Sequence, residues 1–171
     1  MDRTAPRTAP TTARLLEDID DMTAARLQEF RYNPIGVVHL YSEFDGTGHG
    51  FHVIDDGYKT GGSTWNDSML DRDGVYTSYV GSKDRSFLEA DRGVIGRRGA
   101  TEFETITGAD CEVLDVSVIR PGMPAYDRSW QAMEKLSLPP GVEICSSFLN
   151  RAGIVGRIRN GRRTAREIAE Q

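Results

Sequence analysis

At 171 residues, with 38% apolar and 27% charged residues, the chain is large enough for one globular domain with a real core. A formal net charge of −5, and basic residues that lack interleaved aromatics, exclude a nucleic-acid-binding surface. No apolar run is long enough to span a bilayer as a transmembrane segment, and the Thr-, Pro- and Ala-rich start has no signal-peptide core. Cys111 and Cys145 are the only cysteines. They are too few for a disulfide scaffold and lie in apolar, strand-like stretches, the pattern of buried thiols in a cytoplasmic protein.

Residues 1–10 read as a disordered N-terminus. Thr11 or Thr12 then caps a helix running to about Arg31, apolar at Leu15, Leu16, Ile19, Met22, Leu27 and Phe30, and Pro34 stops it. Residues 35–41 read as a strand around Val37, Val38 and Leu40. Residues 51–54 and 74–80 read as further strands, with turns at Asp45-Gly46, Asp56-Gly57 and Asp73-Gly74. The connections are too short for parallel crossovers, so the pattern predicts an antiparallel meander. Residues 84–106 read as a helix despite Gly93, Gly96 and Gly99, and 111–119 as a strand with Val113, Leu114, Val116 and Val118. Pro121 and Pro124 predict an irregular, extended crossing. A short helix over 127–136 and a turn at Pro139-Pro140-Gly141 lead to an apolar strand over 142–148, a glycine turn and a last helix. The organisation is thus a disordered stretch over 1–10, a substrate-binding-like α+β region over 11–122, and a crossing segment with a final strand and helix over 123–171.

Few motifs carry chemistry. Gly46-Thr47-Gly48-His49-Gly50 copies part of a dinucleotide fingerprint, but a strand follows it where a phosphate cradle needs a helix, so it reads as a hairpin turn. His39, His49 and His52 lack the further ligand that a metal site needs and read as strand and turn residues. Ser146 and Ser147 have neither a Gly-x-Ser-x-Gly elbow nor a nearby histidine. Trp130, with Met133 and Leu136, reads as core; Trp65 either lines a cavity or caps the sheet. Gly153, Gly156 and Gly161 allow close approach of backbone to a ligand or to a neighbouring strand. A glycine turn that opens a helix also aims unpaired N–H groups at an anionic or carbonyl-rich ligand.

Charge is uneven. From Arg151 onward six arginines face Glu167 and Glu170, which gives +4 and leaves −9 on the rest. This is either a solvated helix face or a patch that complements a phosphate or an acidic partner.

Cys145-Ser146-Ser147-Phe148 followed by Ala152-Gly153-Ile154-Val155-Gly156-Arg157-Ile158 and Gly161 resembles the C-terminal flavin motif of the FAD-dependent amine oxidase superfamily. The likeness is greatest to its protoporphyrinogen oxidases and related desaturases. Tyr32-Asn33-Pro34-Ile35-Gly36-Val37-Val38 resembles that family's strand after a substrate-domain helix. Residues 62–70 with Arg72, and Met123-Pro124-Ala125-Tyr126, resemble further segments of it. The resemblance runs from about Tyr32 to the end and corresponds to the C-terminal part of a family member. It implies an α+β fold, in which an antiparallel substrate-domain sheet with covering helices is joined to the C-terminal strand and helix of a flavin-binding domain. The family's N-terminal Rossmann unit, which holds adenosine and pyrophosphate, is absent. The resemblance also implies that the helix start at Gly153, Ile154 and Val155 approaches the flavin through backbone groups, with Ser146 and Ser147 near the ribityl chain or pyrophosphate. At those two positions the family generally has glycine, then a small or polar residue.

The activity implied is hydride removal from a small-molecule substrate to FAD, with porphyrinogen oxidation in haem biosynthesis as one case. It would need a Rossmann-bearing partner chain, an upstream reading frame or a homo-oligomer. No side chain stands out as the catalytic acid or base, which fits flavin chemistry. The competing reading is a non-catalytic remnant or binding domain without flavin. A third is a partner subunit that docks its cationic last helix on an acidic neighbour.

Overall fold

The computed structural model describes residues 8–146, 148, 149 and 153–170, and the chain divides into two units. One is Asn33–Met123; the other joins the described parts of Met1–Tyr32 and Pro124–Gln171. The fold is α+β, built on a five-stranded antiparallel sheet.

The elements are α1 (Ala9–Leu16), α2 (Asp21–Gln28), β1 (Tyr32–Tyr41), β2 (Gly50–His52), β3 (Thr60–Trp65), α3 (Asn66–Leu70), β4 (Val75–Val80), α4 (Arg92–Thr107), β5 (Glu112–Pro124) and α5 (Ile154–Ala169). The strand order is β2-β3-β4-β1-β5. β1 pairs with β4 through Val38↔Ser78 and Leu40↔Tyr76, and β4 pairs with β3 through Ser63↔Ser78. Period-two alternation puts Val38 and Leu40 of β1 on the face covered by α4, where they meet Tyr76, Val80, Leu88, Ile95 and Phe103 in a buried core. Two glycines of α4 explain themselves here. A Cβ on Gly99 would lie 3.1 Å from Val38, and one on Gly96 would lie 2.8 Å from Val116. They cost helix propensity and allow the helix to sit close on the sheet. Asp91 caps α4 by accepting the Gly93 N–H at 2.7 Å.

The strand order corrects the expected meander. β1 does not pair with β2; β4 and β3 lie between them. Residues 46–50 are therefore not a hairpin turn but the end of a loop that carries the chain to the far edge of the sheet. β3 itself was not expected. Its sequence, Thr-Gly-Gly-Ser-Thr-Trp, lacks apolar alternation, and it is buried through small residues instead: Thr60 and Ser63 are in the interior, and the Ser63 hydroxyl donates to the Thr77 carbonyl. The expected helix over 84–106 is broken at Ala90 into a 3-10 turn, Arg85–Glu89, and α4, because Asp84 and Asp91 each cap a new start. β5 continues through Pro121 and Pro124 where an irregular crossing was expected. It is an edge strand, and proline is tolerated there.

The second unit packs α1, α2 and a 3-10 helix, Arg128–Lys135, around Ala13, Leu16, Leu27, Phe30 and Phe148. The Phe30 and Phe148 rings are 5.5 Å apart, and the Trp130 indole donates to the Phe148 carbonyl at 3.0 Å. The single helix expected to run to Arg31 is two helices. Asp20 accepts the Thr23 N–H at 3.1 Å and starts α2 afresh. The apolar faces of α1 and α2 are spent on Phe148 and its neighbours, so residues up to Tyr32 belong with the C-terminal segments rather than with the sheet region. Residues 1–7 of the expected disordered stretch lie outside the described residues; Ala9 and Pro10 open α1, where a proline has no N–H to lose. The last helix forms as α5, but 142–146 is not a strand. Val142 and Ile144 pack on the core of this unit, and no described strand lies beside them to complete a ladder.

Candidate functional site

The face of the sheet turned away from α4 carries a candidate site. On β1, Ile35, Val37 and His39 alternate with the buried Gly36, Val38 and Leu40. Register then sets Tyr79 beside Val37 and Thr77 beside His39, with Gly62 and Thr64 of β3 next in line. A cavity of about 700 Å³ opens here, within the Asn33–Met123 unit. Ile35, Phe51 and Met123 give it apolar walls; His49, His52, Thr64, Tyr79 and Ser82 supply polar groups. This size and mixture suit a small, largely apolar molecule oriented by a few hydrogen bonds.

A polar network links the strands beside the cavity. The Thr77 hydroxyl lies 3.0 Å from His39 Nδ1 and accepts from Asn66 Nδ2 at 2.7 Å. Thr64 Oγ1 is 3.4 Å from the Tyr79 hydroxyl and donates to Asn66 Oδ1 at 3.5 Å. Close backbone approach shapes the far wall: a Cβ on Gly62 would lie 2.5 Å from the Phe51 carbonyl oxygen, so only glycine lets β2 pair there. The start of β3 is fixed from behind by Glu102 of α4. Its carboxylate accepts the N–H of Lys59 at 2.8 Å and of Thr60 at 2.7 Å, and pairs with Arg98 Nε at 2.6 Å.

No Asp or Glu lines the cavity, so its acid–base groups are the His49 and His52 imidazoles and the Tyr79 phenol. The three histidines do not meet: His39 is engaged with Thr77, while His49 and His52 line the cavity. Among the described residues no group of three His, Cys, Asp or Glu side chains comes together to hold a metal, and no helix is long and apolar enough to cross a membrane. Trp65, left open between cavity and sheet, is half-buried and packs against the edge of the core and on Phe44, with ring centroids 5.5 Å apart.

The residues expected to meet a flavin lie in the other unit. Gly153 caps α5 with φ 131°, a conformation that favours glycine, and a Cβ there would meet nothing within 4 Å. Among the described residues no side chain caps this helix start, and Ile154 and Val155 are exposed. Ser146 lines a small cleft of about 180 Å³ beside Thr12, Leu15 and Leu16 of α1; Ser147 lies outside the described residues. A helix start without a side-chain cap and with a bare glycine fits the approach of a carbonyl-rich or anionic part of a cofactor. The glycine-rich strand–helix unit that would hold the adenosine and pyrophosphate of FAD does not occur in this sequence.

Sequence reasoning missed Thr64, Asn66, Thr77 and Tyr79. The alternation within Val-Tyr-Thr-Ser-Tyr-Val was the available signal, since it puts Thr77 and Tyr79 on one face and Tyr76, Ser78 and Val80 on the other.

No family model matches the chain, and no curated protein does. Among solved structures, its fold is similar to a crystal structure named "Putative protoporphyrinogen oxidase from Exiguobacterium sp. 255-15", with a TM-score of 0.65 and 16% identity. The match covers 97% of this chain and 40% of that one, so the chain spans less than half the length of its neighbour. At this identity the likeness is one of fold.

Proposed function

We propose that this chain is the C-terminal, substrate-binding portion of an FAD-dependent oxidoreductase of the amine oxidase and protoporphyrinogen oxidase type. The observation that carries the reading is the fold likeness over 97% of the chain to a structure bearing a protoporphyrinogen oxidase name. The flavin-motif resemblance at Gly153, Ile154 and Val155 points the same way. In this reading the open sheet face binds a small apolar substrate. Ile35, Phe51 and Met123 exclude water from it, and Thr64, Tyr79 and His52 orient its polar groups. When bound, FAD supplies the hydride acceptor. The backbone at Gly153, Ile154 and Val155 would contact it, with Ser146 and Ser147 toward its ribityl or pyrophosphate part. A porphyrinogen is the substrate that the neighbour's name suggests.

The test is a visible absorption spectrum of the purified chain before and after incubation with FAD and gel filtration. It is repeated after mixing with a Rossmann-bearing flavoprotein domain. A retained flavin band in either arm, with oxidation of a porphyrinogen or an amine, supports the reading. A colourless chain in both arms overturns it.

A second reading has its own observation. The 700 Å³ cavity is built wholly within Asn33–Met123, so binding there needs neither flavin nor the other unit. On that reading the chain is a non-catalytic binding module, and an apolar dye displaced by porphyrins in the absence of FAD would favour it.

A further inference from the structure

The helical unit carries two apolar patches ringed by charges of opposite sign. On α5 the usual arrangement is inverted: Asn160 and Thr164 are buried, while Ile154 is 75% exposed and Val155 and Ile158 also face water. An amphipathic helix that had found its partner would bury those aliphatic residues. Arg157, Arg159, Arg162, Arg163 and Arg166 surround them against Glu167 alone, so Ile154–Ala169 carries +4. At the junction of α1 and α2 the signs reverse. Leu15, Ile19 and Met22 are exposed, Met22 by 66%, and Glu17, Asp18, Asp20 and Asp21 stand among them. No basic residue lies between Arg14 and Arg26. Exposed apolar side chains with a charged rim mark interaction surfaces.

We infer that each patch is covered by the other patch of a second copy of this chain. The acidic α1–α2 junction of one molecule docks on the arginine-rimmed face of α5 in its partner, and the contact repeats about a two-fold axis. Both patches are exposed in the single chain, so neither covers the other internally. Pairing α5 with α5, or junction with junction, sets like charges together. Only the crossed arrangement matches apolar centre to apolar centre and +4 to an acidic ring. The inference needs no flavin and holds for a binding module as well; it uses the exposed side chains of Ile154, Val155 and Ile158, whereas the flavin reading uses backbone groups at Gly153, Ile154 and Val155.

Sedimentation equilibrium of the purified chain, over a range of protein and salt concentrations, tests it. The expected result is a dimer that weakens as salt rises, because the charged rim is screened. Arg159→Glu with Arg162→Glu, and separately Asp18→Arg with Asp21→Arg, should each weaken self-association at least tenfold while leaving unchanged the far-UV circular dichroism and the urea midpoint measured at concentrations where the parent is monomeric. Each pair makes like charges meet at both contacts of its own dimer. Mixing the two variants makes both contacts complementary again, so the mixture should recover a 1:1 dimer. A chain that is monomeric at all concentrations overturns the proposal, as do variants that still dimerise like the parent or a mixture that stays monomeric. A parent chain that associates only with an added Rossmann-bearing protein assigns the α5 face to that partner and overturns it too.

Discussion

Replacing Glu102 by alanine should cost more stability than any exposed charge in the chain. The carboxylate is buried and accepts two backbone N–H groups, from Lys59 at 2.8 Å and Thr60 at 2.7 Å. Hydrogen bonds to a charged acceptor contribute about 1.5–3 kcal/mol each. Arg98 adds less: its side chain is 44% exposed, it can turn to water, and such pairs contribute about 1 kcal/mol or less. Alanine's better helix propensity returns only a few tenths of a kcal/mol. The expected loss is therefore about 3–5 kcal/mol for Glu102→Ala, a large part of a typical domain's stability. For Arg98→Ala it is about 1 kcal/mol or less. Urea unfolding followed by circular dichroism measures both. The pH dependence follows from the same geometry. Burial alone would raise the Glu102 carboxyl, but the donors of Thr60, Lys59 and Arg98 outweigh it and hold it below the usual 4.5. Its contribution is present above the unfolded value and is lost as pH falls through the lower folded value. The wild type should thus lose stability below about pH 4.5 with a component that Glu102→Gln lacks. A Glu102→Ala loss under about 1 kcal/mol, or an Arg98→Ala loss equal to it, would refute the argument that the N–H clamp dominates.

The thiols should separate cleanly. Burial, followed by the charges of Glu104 and Asp110, pushes Cys111 up to about 12, whereas Cys145 is exposed. At pH 8 a thiol reagent should modify one cysteine per native chain, and Cys145→Ser should abolish that reaction; two equally fast thiols would contradict the half-buried setting of Cys111. The glycines of α4 should differ in sign. Gly96→Ala places a methyl 2.8 Å from Val116, and overpacking of about 1–3 kcal/mol should exceed a helix-propensity gain of about 1 kcal/mol. Gly93→Ala meets the flexible end of Arg97 and, at 3.1 Å, the capping Asp91 carboxylate, which has only to give by a few tenths of an ångström, and should be neutral or stabilising. Thermal midpoints in the reverse order would show that α4 does not ride as close to the sheet as the backbone implies.

Elements whose pattern is carried by large apolar residues were legible in the sequence. Val38 and Leu40 on β1 announced themselves by alternation; the helix over 84–106 was legible apart from the new start at Asp91, and the last helix was legible from the glycine turn before it. β3 did not, because Thr60 and Ser63 bury hydroxyls and Gly61 and Gly62 have no side chain to alternate. The break at Asp20 was written as a cap residue, but it sits inside a longer apolar period that masks it. Residues 142–146 show the opposite failure. Their alternation is real, yet alternation chooses a face and does not provide a neighbouring strand. The network of Thr64, Asn66, Thr77 and Tyr79 needs the register between β3 and β4, which no local pattern states. The backbone character of Gly153 was visible from composition; the inverted burial of α5, polar side inward, was not.

The two margins of the sheet bear on how this protein survives at high concentration. One margin is β2, three residues long, and the other is β5, where Pro121 and Pro124 leave gaps in the row of donors. A strand from a stray molecule finds too short a template on one side and an interrupted one on the other, so fibril-like stacking has no place to start. This guard operates only while the sheet is intact. Loosening β3, which joins β2 to the rest, would expose fresh margin along β4, and variants that free it should precipitate before they unfold completely.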